Sequence, residues 1–157
     1  METKFVTVGG QRYKLHMIPA YYAQQFLENK DKGDFTDEEV LYLMQYVSHN
    51  DKPMDSEEAI DSAVEDWVQL NELTVLIYAF NFGFLTDWKS WRVPNTDGFV
   101  ASEPRQLSAF MHSIIANEYA TLMELKTCVS LHDAFEMHDS ILTKAMNEYR
   151  YSKMKGL

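Results

Sequence analysis

The side chains best placed to do chemistry are three on the last predicted helix: His132, Glu136 and Asp139. Their i, i+4 and i+7 spacing places them on one helical face, where imidazole and carboxylate groups can converge on a metal ion. That face is the polar side of an amphipathic helix, and no second pair of ligands with helical spacing occurs elsewhere in the chain. We therefore favour a solvated helix face and expect no metal site.

The other histidines and the single cysteine indicate no further site. His16, His49 and His112 stand alone in the sequence, and His138, on the apolar side of the last predicted helix, is expected to be a core residue. Cys128 has no disulfide partner and no neighbouring base, so we expect it to be a small core residue. Gly-x-Ser-x-Gly and phosphate-binding glycine-rich motifs are absent. We expect no catalytic residue, no cofactor and no enzymatic activity.

One predicted loop, over about residues 86–101, has an unusual composition. Trp88, Trp91 and Arg92 lie within five residues of one another, and these residue types are enriched in the hot spots of protein interfaces. They are our candidate partner-binding residues. The alternative is that both indoles fold back over the core, because large aromatic side chains in loops are usually partly buried.

The charge of the chain is segregated. Its formal net charge is −10, and the segment 34–66 alone holds eleven acidic residues against Lys52. The C-terminal end has the opposite sign, with Glu148 facing four basic residues: Lys144, Arg150, Lys153 and Lys155. A mostly acidic surface repels phosphate backbones, so nucleic acid is not expected as a partner. The acidic segment is best interpreted as solvated helix faces.

The length and hydropathy of the chain predict one soluble domain, residues 1–157. Apolar residues make up 46% of the sequence, which is enough for a single core. There is no run of eighteen apolar residues, and the N-terminus lacks the basic and apolar regions of a secretion signal. We therefore expect a cytosolic protein that does not enter a membrane.

The predicted fold class is mostly α, with an α+β arrangement: an N-terminal β-hairpin followed by a compact bundle of about five to six helices. Two β-type runs at about residues 4–16, joined by Gly9-Gly10, predict the hairpin. Helical periodicity fills most of residues 19–153.

Local signals set the expected helix boundaries. Capping boxes at Thr36 with Glu39 and at Thr121 with Glu124 begin two helices, and Ser130 begins the last one. Further features are a first helix over Ala20–Asn29, an apolar stripe from Val40 to Val47, one long helix from Asp55 or Ser56 to Phe80, a helix capped by Ser102, and a last helix ending near Lys153. The second half of the long helix is apolar on nearly all faces, which predicts a central position.

Two parts of the chain carry a resemblance. Lys4–Leu15, which reads KFVTVGGQRYKL and precedes a short helix over 17–27, resembles the opening of tailed-bacteriophage tail assembly chaperones. The region that contains NFGFL from Asn81, ATLMEL from Ala120, SLHD from Ser130 and NEY from Asn147 is similar to small phage morphogenesis proteins of the same gene neighbourhood.

The resemblance implies a non-enzymatic protein that binds the tape measure protein, keeps it soluble and recruits tail tube subunits. It also implies action in the host cell cytoplasm. A permanent virion component, such as a neck, baseplate or capsid-associated subunit, is the alternative, and both homo-oligomer formation and presence in the virion stay open.

Overall fold

The computed structural model describes residues 1–30, 32–95, 98, 102, 104 and 106–156. Its first elements are two antiparallel strands, β1 (Thr3–Val8) and β2 (Gln11–His16). Gly9 and Gly10, with φ of 57° and 77°, form the two-residue turn between them, which needs positive φ at both positions. The predicted hairpin is confirmed.

The hairpin continues into a four-stranded antiparallel sheet of order β1-β2-β3-β4. The added strands are β3 (Val47–His49) and β4 (Lys52–Pro53). The prediction that Val47 continues a helical stripe is wrong, because Val47 pairs with Leu15 of β2 and is buried in the sheet. This pairing joins segments far apart in the chain, so local periodicity does not reveal it.

Seven α-helices lie in the described part of the chain, one more than the upper predicted number. They are α1 (Ala20–Asn29), α2 (Asp37–Met44), α3 (Glu57–Ala63), α4 (Trp67–Phe82), α5 (Ala109–Ala116), α6 (Leu122–Thr127) and α7 (Leu131–Met154). Both predicted capping boxes are present, at the starts of α2 and α6, and Ser130 caps α7. The α+β class with an N-terminal hairpin is therefore confirmed.

The predicted long helix is two helices, α3 and α4. Val64 is extended, with φ −121° and ψ 145°, and Asp66 begins a new helix by accepting a hydrogen bond from the Gln69 amide at 2.9 Å. A side-chain cap of this kind satisfies a free amide of the first turn, so the chain restarts a helix after the break.

The helix expected after Ser102 begins later. Its N-cap is Ser108, whose hydroxyl accepts from the Met111 amide at 3.2 Å, and the helix starts at Ala109. Of the predicted aromatic loop, Thr86 ends a 3₁₀ turn that follows α4, and positions 87–95 are irregular. Positions 96, 97, 99–101, 103 and 105 lie outside the described residues.

The core is formed by buried side chains of the sheet and of all seven helices, and Asn81 of α4 connects that helix to the end of β2. Its Oδ1 accepts from the Ile18 amide at 2.7 Å, and its Nδ2 donates to the carbonyl oxygens of His16 and Ile77 at 3.3 and 3.2 Å. Tyr13 of β2 connects the sheet to α3 by donating its hydroxyl to the Ala63 carbonyl. These buried polar groups are hydrogen-bonded, as a stable core requires.

Helix α7 covers the other end of the bundle, where it packs on α1, α5 and α4. The Ala20 amide donates to the Val129 carbonyl at 2.7 Å, so the starts of α1 and α7 lie side by side. Leu131 and Ala134 are the fully buried side chains of α7. The last turns of α7 carry exposed side chains and form one end of the molecule.

Candidate functional site

The predicted binding residues of the aromatic loop are separated by the structure. Trp88 is half-buried, and its ring packs edge-on against Phe84 at 5.8 Å, Phe135 at 5.6 Å and His132 at 5.9 Å. It therefore packs on the aromatic side chains at the end of α4 and the start of α7. The interpretation that both indoles fold back over the core is met by neither indole in full, since Trp88 is half-buried and Trp91 is exposed.

The other two residues of the set face solvent. Trp91 is 42% exposed, its Nε1 donates to the Thr143 hydroxyl at 3.1 Å, and the Arg150 guanidinium lies 5.2 Å from its ring centre. Arg92 is exposed as well. A binding role for Trp88, Trp91 and Arg92 stays a prediction, with Trp91 and Arg92 accessible to a partner.

The candidate metal ligands on α7 are engaged with the protein. His132 stacks on Phe84 at 4.6 Å between ring centres, and its Nε2 lies 3.4 Å from Glu136 Oε1. Among the described residues, no three His, Cys, Asp or Glu side chains are close enough to hold a metal ion together. The face of α7 expected to be solvated is thus partly covered at His132.

Two further sequence expectations concern single side chains. Cys128 is exposed, so its predicted core position is wrong: it follows the end of α6, and the next residue, Val129, takes the buried place. His138 is half-buried, 4.9 Å from the Phe110 ring, and burial lowers its pKa although Asp139 acts in the opposite direction.

The surface that sequence reasoning missed lies on α4. Val68, Glu72, Val75 and Ala79 are all exposed, and we call this row the α4 outer face. Val68 is 71% and Val75 51% exposed. The expectation that the second half of this helix is central holds for one side only, since Leu73 and Ile77 are fully buried.

The spacing of the outer face is informative. Successive members are four, three and four residues apart, which is the repeat that keeps one seam of a helix against a neighbouring helix. A helix that is apolar on all faces normally belongs to a core. In α4, by contrast, the mostly apolar outer face is exposed to solvent. The signal in the sequence was the apolar run Leu73–Phe80, which is wider than one amphipathic stripe.

A second surface adjoins the start of α4, between α2, α3 and α4. We call it the Trp67 groove: a cleft of about 210 Å³ beside the indole of Trp67, which is 63% exposed. Its apolar lining is Val40, Leu41, Ile60, Trp67 and Leu70. A neighbouring cleft of about 390 Å³ shares Val40, Trp67 and Leu70, so the indole stands between the two.

Carboxylates surround the Trp67 groove. Asp37 and Glu57 are the first residues of α2 and α3, and Asp61 lies near the end of α3. All three are exposed, and within the described part of the chain none forms an ion pair. The groove therefore combines an apolar floor with an acidic rim, a combination that suits a basic amphipathic ligand.

By length and mean hydropathy alone, Trp67–Thr86 is the single segment of the described residues that could cross a membrane. Its most apolar window is 28% buried in the fold. The expectation that the protein does not enter a membrane stays a prediction.

Comparison with protein-family models, with curated proteins and with solved structures finds no match. The functional argument therefore depends on the surfaces just described and on the resemblance drawn from the sequence.

Proposed function

We propose that this chain is a non-enzymatic phage morphogenesis protein, a tail assembly chaperone that binds the tape measure protein. The outer face of α4 is the surface that would cover an apolar helix of that partner. The observation that carries this proposal is the exposed, heptad-spaced row Val68, Glu72, Val75 and Ala79, in which three of the four side chains are apolar, on a helix whose inner side is buried in the core.

The physical basis is helix-on-helix packing. A row with alternating spacing of four and three residues fits against a second helix of the same repeat, and Val75 and Ala79 are small enough to let the two backbones come close. Burying a valine side chain contributes roughly 1.5 kcal/mol. Burying both valines would therefore supply a substantial part of the binding free energy of about 8 kcal/mol that corresponds to a micromolar dissociation constant.

The partner chemistry follows from the same argument. Tape measure proteins, as the resemblance implies, present long apolar helical stripes that aggregate unless they are covered. The strongly acidic character of this chain would keep such a complex in solution through its net charge. Trp91 and Arg92, which remain accessible, are the residues we assign to contacts beyond the helix, including those with tail tube subunits.

The experiment is affinity capture of the tagged chain from infected host cells, with wild type beside the double variant Val68→Glu/Val75→Glu. The wild type should retain the tape measure protein, and the double variant should lose it. Met123→Glu is the matched control: Met123 lies on α6, is 69% exposed and receives the same charge. Retention of the tape measure protein by the double variant would contradict the proposal.

The second function, a permanent virion component, uses the same exposed surfaces but keeps them buried against a neighbouring subunit. This second function predicts that the chain is present in purified particles, at a fixed ratio to other structural proteins. A chaperone is found in infected-cell extract and is lost from finished particles.

A further inference from the structure

The acidic rim of the Trp67 groove is only partly explained by helix stability. Carboxylates at the start of a helix interact favourably with its dipole, which accounts for Asp37 and Glu57. Asp61 lies in the second half of α3, where the dipole favours a cation instead. The dipole of α3 therefore does not account for the place of Asp61 at the groove.

The apolar floor of the groove is likewise left uncovered. Trp67 is the first residue of α4 and exposes 63% of its surface, while Leu41 on the facing helix α2 is 36% exposed. Large exposed apolar side chains beside three carboxylates that form no ion pair with any described residue are typical of a surface that binds a ligand.

The complementary surface is present in the same chain, at the α7 tip, which we define as residues 144–156. Tyr151 and Met154 are 57% and 75% exposed, and their i, i+3 spacing puts them on one face of the helix. The tip exposes four cations, Lys144, Arg150, Lys153 and Lys155, and the last three lie near the end of the helix. It is a basic helix end with two projecting apolar side chains.

The contacts of the α7 tip leave its charges available. Lys153 and Lys155 lie 5.7 and 5.5 Å from the rings of Tyr149 and Tyr151, and Arg150 lies over Trp91. Within the described residues none of these cations forms an ion pair. The dipole of α7 accounts for cations in its last turn, but it does not account for an exposed Met154.

We infer that the protein assembles head to tail, with the α7 tip of one copy docked in the Trp67 groove of the next. Tyr151 and Met154 pack on the apolar floor, while Arg150, Lys153 and Lys155 face the carboxylate rim. In this head-to-tail arrangement each copy uses its tip on one neighbour and its groove on another, so the contact is heterologous and the assembly grows into a closed ring or an open filament. The inference does not depend on the proposed function.

The occupant of the Trp67 groove that we infer is a second copy of this chain, because the α7 tip complements the groove. The groove supplies carboxylates and an apolar floor, the tip supplies cations and apolar side chains, and both are present at equal concentration in any preparation. Long-range attraction between the acidic segment 34–66 and the basic tip favours this orientation over groove-to-groove contact, in which like charges meet.

The test is sedimentation velocity of the full chain over a range of concentrations. Wild type should associate reversibly, and raising the salt from about 50 mM to about 500 mM should weaken the association, because screening reduces attraction between exposed charges. Trp67→Glu disables the groove and Met154→Glu disables the tip. Each variant alone should bind itself at least about tenfold more weakly, since each removes a central side chain of the interface.

Mixing the two variants gives the decisive result. The intact groove of Met154→Glu can accept the intact tip of Trp67→Glu, so the mixture should form a dimer that grows no further. A two-fold dimer with reciprocal tip-to-groove contacts would also regain one intact contact in the mixture, but its wild type would stop at a dimer, whereas a head-to-tail wild type grows beyond one. Met123→Glu, an equally exposed site on α6, should associate like wild type. Circular dichroism checks that every variant is folded, which is expected because both altered side chains are mostly exposed.

Three outcomes overturn the inference. One is a wild-type chain that stays monomeric at every concentration tested. Another is a mixture of the two variants that forms no dimer. The third is a monomeric chain whose groove binds a synthetic basic amphipathic peptide, which would assign the groove to a different protein.

Discussion

Both sides of α4 carry branched aliphatic side chains, but these side chains lie in opposite surroundings. Leu73 and Ile77 on the inner side are fully buried against the sheet and the neighbouring helices, whereas Val68 and Val75 on the outer side face solvent. The difference is in the neighbours and not in the helix. Apolar periodicity therefore predicts which surface must be covered, but it does not predict whether the same chain covers it.

Two matched truncations, one on each side of α4, test this difference directly. Ile77→Ala should lower the free energy of unfolding by about 2–5 kcal/mol, because it leaves a cavity in the core. Val75→Ala, two residues earlier, should change it by about 0.5 kcal/mol or less. Urea denaturation measures both values. Equal losses would show that the outer face is packed within the monomer.

The same contrast divides the aromatic loop. Trp88→Ala should lower the free energy of unfolding by about 2 kcal/mol, because its half-buried ring packs on Phe84 and Phe135. Trp91→Ala should lower it by about 1 kcal/mol, since that indole is 42% exposed and contributes one hydrogen bond and one cation–π contact. Thermal melts of both variants check the order, and the reverse order would place Trp91 in the core.

Polar groups on the inner side of α4 should also matter more than those outside. Asn81→Ala removes the acceptor of the buried Ile18 amide and should lower the free energy of unfolding by about 1–3 kcal/mol. Glu72→Ala on the outer face is the control, with an expected change near zero. Chemical denaturation compares the two variants, and an unaffected Asn81→Ala would mean that water replaces the lost acceptor.

Lowering the pH should slightly reduce the stability of the fold through His16, which contacts the inner side of α4. Burial, and then Lys14, lower the pKa of His16, whose backbone oxygen accepts from Asn81. The folded state then binds a proton less readily than the unfolded chain, so stability falls as the pH drops below about 6.5. His16→Gln should reduce the fall in melting temperature between about pH 7 and about pH 5. An unchanged fall would assign the effect to other groups.

Local signals predicted much of the fold. The capping boxes of Thr36 and Thr121 and the turn at Gly9-Gly10 depend on residues within four positions of each other, so they are readable from the sequence. The pairing of Val47 with Leu15 was missed because it depends on a partner far along the chain. The restart of the helix at Asp66 was missed because an apolar pattern runs across the break.

The candidate surfaces were harder to predict than the elements. The Trp67 groove exists because α2, α3 and α4 meet, so no local pattern could join Leu41, Ile60 and Trp67. The charge segregation between the acidic segment and the C-terminal end was visible in the sequence. It suggested a docking surface only when the structure showed exposed apolar side chains beside each group of charges. For Trp88 and Trp91, composition could not decide which indole packs inward.

The most direct test of the account is co-expression of this chain with its proposed partner, a tape measure protein. The central claim predicts that wild type keeps the tape measure protein in the soluble fraction and copurifies with it, and that Val68→Glu/Val75→Glu, although folded, leaves it in the pellet. A tape measure protein that stays equally soluble with the double variant, or that never copurifies with wild type, would contradict the claim that the α4 outer face covers an apolar helix.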